Sequence, residues 1–328
     1  MIPRLLASGH LLLGLLQQPR DTLRIAAVGD INLGRRLAAE HLAQGDTLYP
    51  FQLLLEQLRR PDILFGNLES PIAPGTRVPE TAGVVFTAPH LAARSLALAG
   101  FDIVSTANNH AWDGGRAGVE ETMHRLSRAG VAFVGMGFGR PMAERPVILR
   151  RRGWRVAFFA VTRAWNPAPQ GFYEHAGAGY VAWGDPGWVY QAIRRFKERG
   201  QADLIVVSVH GGTEYVDTPR PGYRAFLEGL VDAGADLVLA HHPHVLQPVI
   251  WYNRKPIVQS LGNFIFHQER PWTDLSAILQ VSVAPDRSMR LAAIPVRAGF
   301  QAERVTGAAA DSVRQRLGVP ITFNTDGP

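Results

Sequence analysis

Two short runs, Leu204-Ile205-Val206-Val207-Ser208-Val209 and Leu237-Val238-Leu239-Ala240, are apolar at nearly every position. A strand with one wet face alternates apolar and polar side chains; a continuous apolar run is instead covered on both faces. The chain must therefore place layers on either side of a sheet. Segments with helical spacing supply them: Val119, Met123 and Leu126, then Val189, Ile193 and Phe196, then Phe226 and Leu230. These helices stop at Gly130, Gly200 and Gly234, where glycine ends a helix at low cost. Pro89 to Ala99, before Gly100, reads the same way, as does Pro50 to Leu58. Short strands are expected at Leu23 to Val28, Asp62 to Phe65, Phe101 to Ser105 and Val131 to Val134. A hairpin is expected across Arg151-Arg152-Gly153, and late strands at Ile278 to Val283 and Leu291 to Val296. Alternating β and α units define the α/β class. At 328 residues, with 46% hydrophobic and 19% charged positions, the chain fits one large domain or two ordinary ones with a substantial core.

The residues just past these strands carry the chemistry. The run ending at Ala240 leads into His241-His242-Pro243-His244, and a His-x-His pair can present two neutral imidazoles to a borderline metal. Taken alone, the cluster is equally a polar loop whose histidines bond backbone. Four other strands end alike: Gly29-Asp30-Ile31-Asn32, Asn67-Leu68-Glu69, Asn108-Asn109-His110 with Asp113, and His210. An aspartate directly after a buried strand is costly to desolvate unless a cation or hydrogen bonds receive it. In open sheets chemistry gathers beyond the carboxyl ends of strands. Five ligand-bearing ends at one edge supply carboxylate, amide and imidazole groups for a two-metal site. The set lacks sulfur and suits manganese, iron or zinc, as one or two ions, better than calcium. The loops Pro74 to Gly83 and Trp165 to Gly179 read as borders of a cleft.

No cysteine occurs, which excludes disulfides, thiolate zinc sites and a lipid-bearing cysteine. The formal charge of +6 suits an acidic partner, though an arginine-rich composition accounts for it more simply. No RNA-binding signature or dense basic block points to nucleic acid. Arg35, Arg36, Arg77 and Arg163 lie near the motifs, so basic charge is expected around the mouth of the site. Residues 1–22 include an apolar run interrupted by His10, which reads either as a signal or anchor segment or as a packed helix. A main domain over 23–300 and a tail over 301–328 complete the expected division.

These motifs together resemble the CapA family of poly-γ-glutamate capsule biosynthesis proteins, a branch of the calcineurin-like metallophosphoesterases. The likeness runs from about Leu23 to His267. It rests on Gly29-Asp30 with Gly34-Arg35, Asn67 to Pro71, Ala107 to His110 with Asp113, and His210 with Glu214-Tyr215. His241 to Val245 with Gln247, and Ser260 to Phe264, complete it. The resemblance implies a four-layer sandwich, two mixed sheets flanked by helices. It implies Asp30 at a first metal, with Asn32 standing where phosphoesterases carry a histidine, and Glu69 in the bridging place. Asn109 and His210 would hold a second metal, His242 and His244 would divide between the two, and His110 beside Asp113 would be the catalytic acid or anion stabiliser. Asn32, the longer Glu69, Ala240 for a glycine and Gly211 for a tryptophan depart from the pattern. The loss of an imidazole at Asn32 implies that the Asn109–His210 half fills first.

The resemblance supports two readings of function. One is a metal-dependent hydrolase of the cell envelope acting on an anionic substrate. The other is a non-catalytic, polymer-holding part of a poly-γ-glutamate synthesis or export complex at the membrane. The fold alone implies a third, a generic phosphoesterase. An extracytoplasmic place goes with the first two.

Overall fold

The structure is a computed structural model that describes residues 20–73, 85–166, 179–320 and 322. The chain first lays down four parallel strands, β1 (Leu23–Ile31), β2 (Ile63–Leu68), β3 (Ile103–Ser105) and β4 (Ala132–Val134). Helices α1 (Leu91–Ala99) and α2 (Gly115–Ala129) connect the later pairs. It then crosses to a second sheet: β5 (Val147–Arg151), β6 (Trp154–Thr162), β7 (Leu204–His210), β8 (Leu237–His241), β9 (Leu246–Tyr252) and β10 (Lys255–Leu261). Helices α3 (Pro186–Glu198) and α4 (Pro221–Ala233) belong to this half. The chain returns to the first sheet with β11 (Asn263–Ile265), β12 (Leu275–Val283), β13 (Met289–Arg297) and β14 (Glu303–Arg304). Strand orders are β14-β13-β12-β1-β2-β3-β4, with β11 beside β1, and β5-β6-β7-β8-β10-β9. Both sheets are mixed, since β12 runs against β1 and β9 against β10.

Three apolar layers separate four structural ones, as the fully apolar strands require. On β7, Leu204 and Val206 join Phe65, Phe158 and Leu239 between the sheets. The alternate residues Ile205, Val207 and Val209 pack under Val189, Ile193, Leu227 and Leu230 of α3 and α4. On the other side, Ala26, Val28 and Leu64 lie under Leu54, Leu58, Leu96 and Leu126. Each such side chain, fully buried, contributes roughly 1.5–3 kcal/mol. Beyond residue 300, where a tail is expected, β14 pairs with β13, and helix α5 (Gly307–Leu317) sends Val313 and Leu317 into the core between the sheets. The helix expected over Pro50 to Leu58 is two short pieces, a 3-10 turn at Gln52–Leu54 and an α-helical turn at Leu55–Arg59. No described helix is long and apolar enough to cross a membrane.

One irregularity aims the site. On β1, Ala27 faces Phe65 of β2, but Asp30 faces Asn67, so three steps along β1 match two along β2. By simple alternation Asp30 would share the helix-facing side of Ala26 and Val28; the extra residue of this bulge turns it inward. Gly29 makes the bulge feasible, because a Cβ there would overlap the Gly262 carbonyl oxygen. The neighbouring Asp30 N–H donates to that same carbonyl at 2.9 Å. Gly29→Ala should therefore lower stability by about 1–3 kcal/mol, as overpacked sites do. A urea midpoint equal to that of the original chain would show that this close approach does not set the strand spacing.

Candidate metal centre

Asp30, Glu69, Asn109, His210, His242 and His244 leave the ends of β1, β2, β3, β7 and β8 and meet in one buried cluster. His242 Nδ1 lies 3.1 Å from His210 Nε2, and Asn109 Oδ1 lies 2.7 Å from the same nitrogen. Glu69 Oε1 is 3.6 Å from His210 Nε2 and 3.8 Å from His244 Nε2. Asp30 Oδ2 is 3.3 Å from His244 Nδ1 and accepts from the His242 backbone N–H at 3.3 Å. Two groups have ligand atoms within 4.8 Å of one another: Asp30 with Glu69 and His210, and Glu69 with His242 and His244. Glu69 is common to both. This grouping sets His210 beside Asp30 and keeps His242 with His244.

Electrostatics make Glu69 the focus. It is wholly buried, and among the described residues neither carboxylate oxygen has a hydrogen-bond partner. Burial, with the charges of Asp30, Glu214 and Asp113, pushes its carboxyl well above the ordinary value. Burial raises Asp30 too, but the imidazoles of His241 and His244 more than offset this and hold it well below the carboxylate range. Burial and the neighbouring His242 push His210 well down; burial and His244 bring His242 to about 3. Both imidazoles are thus neutral near pH 7, with lone pairs available to a cation. An unpartnered buried carboxylate amid neutral imidazoles and an amide oxygen fits a divalent ion, which would return the charge balance that burial removes.

Partners behind these groups set their orientation. Asn67 Nδ2 donates to Asp30 Oδ1 at 2.8 Å and lies 3.1 Å from His210 Nδ1. Asn263 Oδ1 is 2.9 Å from His244 Nδ1, which turns Nε2 towards Glu69. His241, wholly buried, lies 3.5 Å from Asp30 Oδ1, and among the described residues neither of its nitrogens has a hydrogen-bond partner. Asn67, His241 and Asn263 belong to the sequence motifs, yet residue type alone does not mark them as orienting groups. Asn166, at the start of the second loop expected to border a cleft, accepts from Asn109 Nδ2 at 2.6 Å, and no local sequence signal pairs them.

His110 stands at the edge of the cluster. Its Nδ1 is 2.7 Å from Asp113 Oδ2, and the Phe86 ring lies on it at 3.9 Å between centroids. Asn32, buried, has a local partner: its side-chain oxygen accepts from the Gly34 backbone N–H at 2.9 Å, forming a turn. The described arginines near the motifs differ in their partners. Arg163 donates to the Gly184 carbonyl and lies over Phe226 of α4, and Arg36 pairs with Glu40, whereas Arg35 lies over Phe86. Arg77, the loop Pro74 to Gly83 and most of the loop Trp165 to Gly179 lie outside the described residues.

Two mixed sheets flanked by helices, with buried carboxylates and imidazoles at their strand ends, make a metallophosphatase-like fold. Residues 24–268 match the family described as bacterial capsule synthesis protein PGA_cap, and the chain belongs to that family. It is 31% identical over 281 residues to the capsule biosynthesis protein CapA of Bacillus anthracis, covering 84% of this chain and 67% of that one. It is 29% identical over 279 residues to the PGA biosynthesis protein CapA of Bacillus subtilis (strain 168), covering 84% and 72%. Among solved structures, a hypothetical protein from Thermus thermophilus matches with a TM-score of 0.50 at 19% identity, over 83% of this chain and 99% of that one. That likeness speaks to the fold.

The state of Glu69 can be read without any turnover. A carboxyl raised in the folded state supports folding fully below its ordinary value, and that support is lost as pH rises through the folded-state value. With metal chelated, Glu69→Gln should therefore be more stable than the original at pH 8 by about 1–3 kcal/mol, with the gap closing below about pH 4. Saturating manganese or zinc should reverse the order. Identical urea curves for the two proteins, with and without metal, would show that Glu69 is not an uncompensated buried acid.

Proposed function

We propose that this chain is a metal-dependent hydrolase of capsule polymer biosynthesis that acts on an anionic substrate of the cell envelope. Glu69 carries the reading: a wholly buried carboxylate with both oxygens unpartnered, common to both ligand groups. Asp30, Glu69, Asn109, His210, His242 and His244 would hold manganese, iron or zinc. When bound, such an ion lowers the pKa of water and polarises a phosphoryl or acyl oxygen.

The remaining chemistry falls to the chain's own side chains. Asp113 receives the Nδ1 proton of His110 and fixes the ring, which leaves Nε2 to carry or release a proton at the reacting group. Phe86 covers one face of that ring and limits water there. Asn166 holds the Asn109 amide so that its oxygen faces His210. Neutral His210 and His242 keep the pocket from repelling a cation. The Bacillus relatives are named for capsule and PGA biosynthesis, which supports poly-γ-glutamate, or a phosphoester of the same pathway, as the substrate.

One observation favours a polymer-holding role within a membrane synthase complex instead. Asn32 stands where phosphoesterases place an imidazole, and its side-chain oxygen is engaged with the Gly34 backbone N–H.

Metal analysis of the purified chain, followed by a turnover screen on phosphodiesters and γ-glutamyl peptides, separates the two. For the hydrolase, His110→Asn should lower kcat by roughly 10²- to 10⁴-fold with metal content unchanged. Absence of turnover on every substrate with metal bound would leave the polymer-holding role. Asn32→His should raise the calorimetric stoichiometry towards two ions per chain. Two equally tight ions in the original, unaltered by that substitution, would show that Asn32 is no deficit.

A further inference from the structure

Two arginines flank this centre in matching ways. Arg35 lies over the Phe86 ring at 5.6 Å, and Phe86 lies on His110 at 3.9 Å. Arg270 lies over the Tyr215 ring at 4.4 Å, and Tyr215 lies 5.9 Å from His244. Phe266 joins the two arms, 5.3 Å from Phe86 and 5.0 Å from His244. An aromatic arc thus runs past the centre with a guanidinium at each end.

Each arm is tied to the centre by hydrogen bonds. The Phe86 backbone N–H donates to Asp113 Oδ2 at 2.6 Å, the same oxygen that faces His110. Tyr215 N–H donates to the Pro243 carbonyl at 2.9 Å, and its hydroxyl accepts from Gln268 at 3.2 Å. Gln268 in turn accepts from Asn263, the partner of His244. Arg35 and Tyr215 hold left-handed backbone, with φ of 55° and 60°, as do His242 and His244, at 97° and 59°. Such conformations persist where surrounding contacts enforce them, and they gather at functional sites.

Among the described residues, no ion pair joins either guanidinium to a carboxylate, and both side chains are exposed. A guanidinium seated on a ring keeps its outward N–H groups for a planar anion such as a carboxylate. Glu214, beside Tyr215, is the opposing charge at this mouth, and it bears on Glu69 rather than pairing with Arg270.

A small substrate with one anionic group at the reacting centre gains nothing from a cation at each side. A chain with repeating anions that crosses the centre engages both. We infer that Arg35 and Arg270 are the substrate-binding pair that selects a linear polycarboxylate lying across the centre, so that an internal bond, not a chain end, faces His110. This rests on the proposed function for its site, but the binding it asserts is measurable without cleavage.

The test uses the full-length chain and a fluorescein-labelled γ-linked glutamate decamer, read by anisotropy at two salt concentrations. Arg35→Gln and Arg270→Gln should each weaken binding about 5- to 10-fold and flatten its salt dependence, the double variant more so. Arg35→Lys and Arg270→Lys should retain the salt dependence. Arg290→Gln, paired opposite Ser282 at the far end of the first sheet, should bind as the original does. A γ-linked dimer, which reaches one arm at most, should bind weakly and lose little in the variants. Unchanged decamer binding in the double variant would overturn the inference, as would an equal loss in Arg290→Gln. Should no bond be cleaved in any substrate while the arginine variants still lose the decamer, the hydrolase reading falls and this one stands. Should phosphodiesters turn over while decamer binding ignores both arginines, the reverse holds.

Discussion

The burial of Asp30 and Glu69 in one pocket is the constraint on which the site depends. Two carboxylates removed from water repel each other, and neither can remain so without compensation. The chain compensates them unequally. Asp30 receives Asn67, the His242 backbone N–H and the nearby imidazoles of His241 and His244. Among the described residues, Glu69 receives no hydrogen bond. The asymmetry leaves one acid stabilised as an anion and the other in want of a cation. A pocket so arranged is made to be completed by something it does not itself contain.

The sandwich exists to present that pocket. Two sheets supply strand ends from both sides, so groups from β1, β2 and β3 meet groups from β7 and β8 across a core too tightly packed to shift. Getting each side chain to the meeting point costs local regularity. β1 carries an extra residue before Asp30, and the loop after β8 places His242 and His244 in left-handed backbone. Arg35 and Tyr215 show the same strain at the rim. Left-handed backbone at Arg152, Asn253, Arg254 and Arg287 belongs to hairpin turns, whereas at these four positions it accompanies the aiming of many groups at one point.

Much of this is legible along the chain, and the losses have physical causes. Fully apolar strands and helices ending at glycine are local signals; α1, for example, ends at Gly100 with φ 98°. β9 escapes a local reading because Leu246-Gln247-Pro248 breaks both alternation and continuity, and only β10 beside it makes it a strand. α5 opens on Gly307-Ala308-Ala309-Ala310, which marks no wide apolar face, and it is held by packing on β9 and β13. A place in a loop near the motifs suggests that Arg163 faces the mouth. Its guanidinium instead faces α4: Arg163 comes directly off β6 and lies against Gly184 and Phe226.

The sequence by itself determined which chemical groups stand at the strand ends, because burying a strand on both faces leaves its exit as the nearest place for polar side chains. It thereby determined the α/β class and a sulfur-free set of oxygen and nitrogen donors. Only the tertiary structure decided how those donors group. The bulge at Gly29 turns Asp30 inward, a reversal that simple alternation would read the other way. The Asn32 oxygen belongs to a turn with Gly34, and Glu69 stands where both ligand groups meet. Those outcomes arise from strand register and from packing between sheets, and such contacts join residues far apart in the chain, where no local pattern can record them.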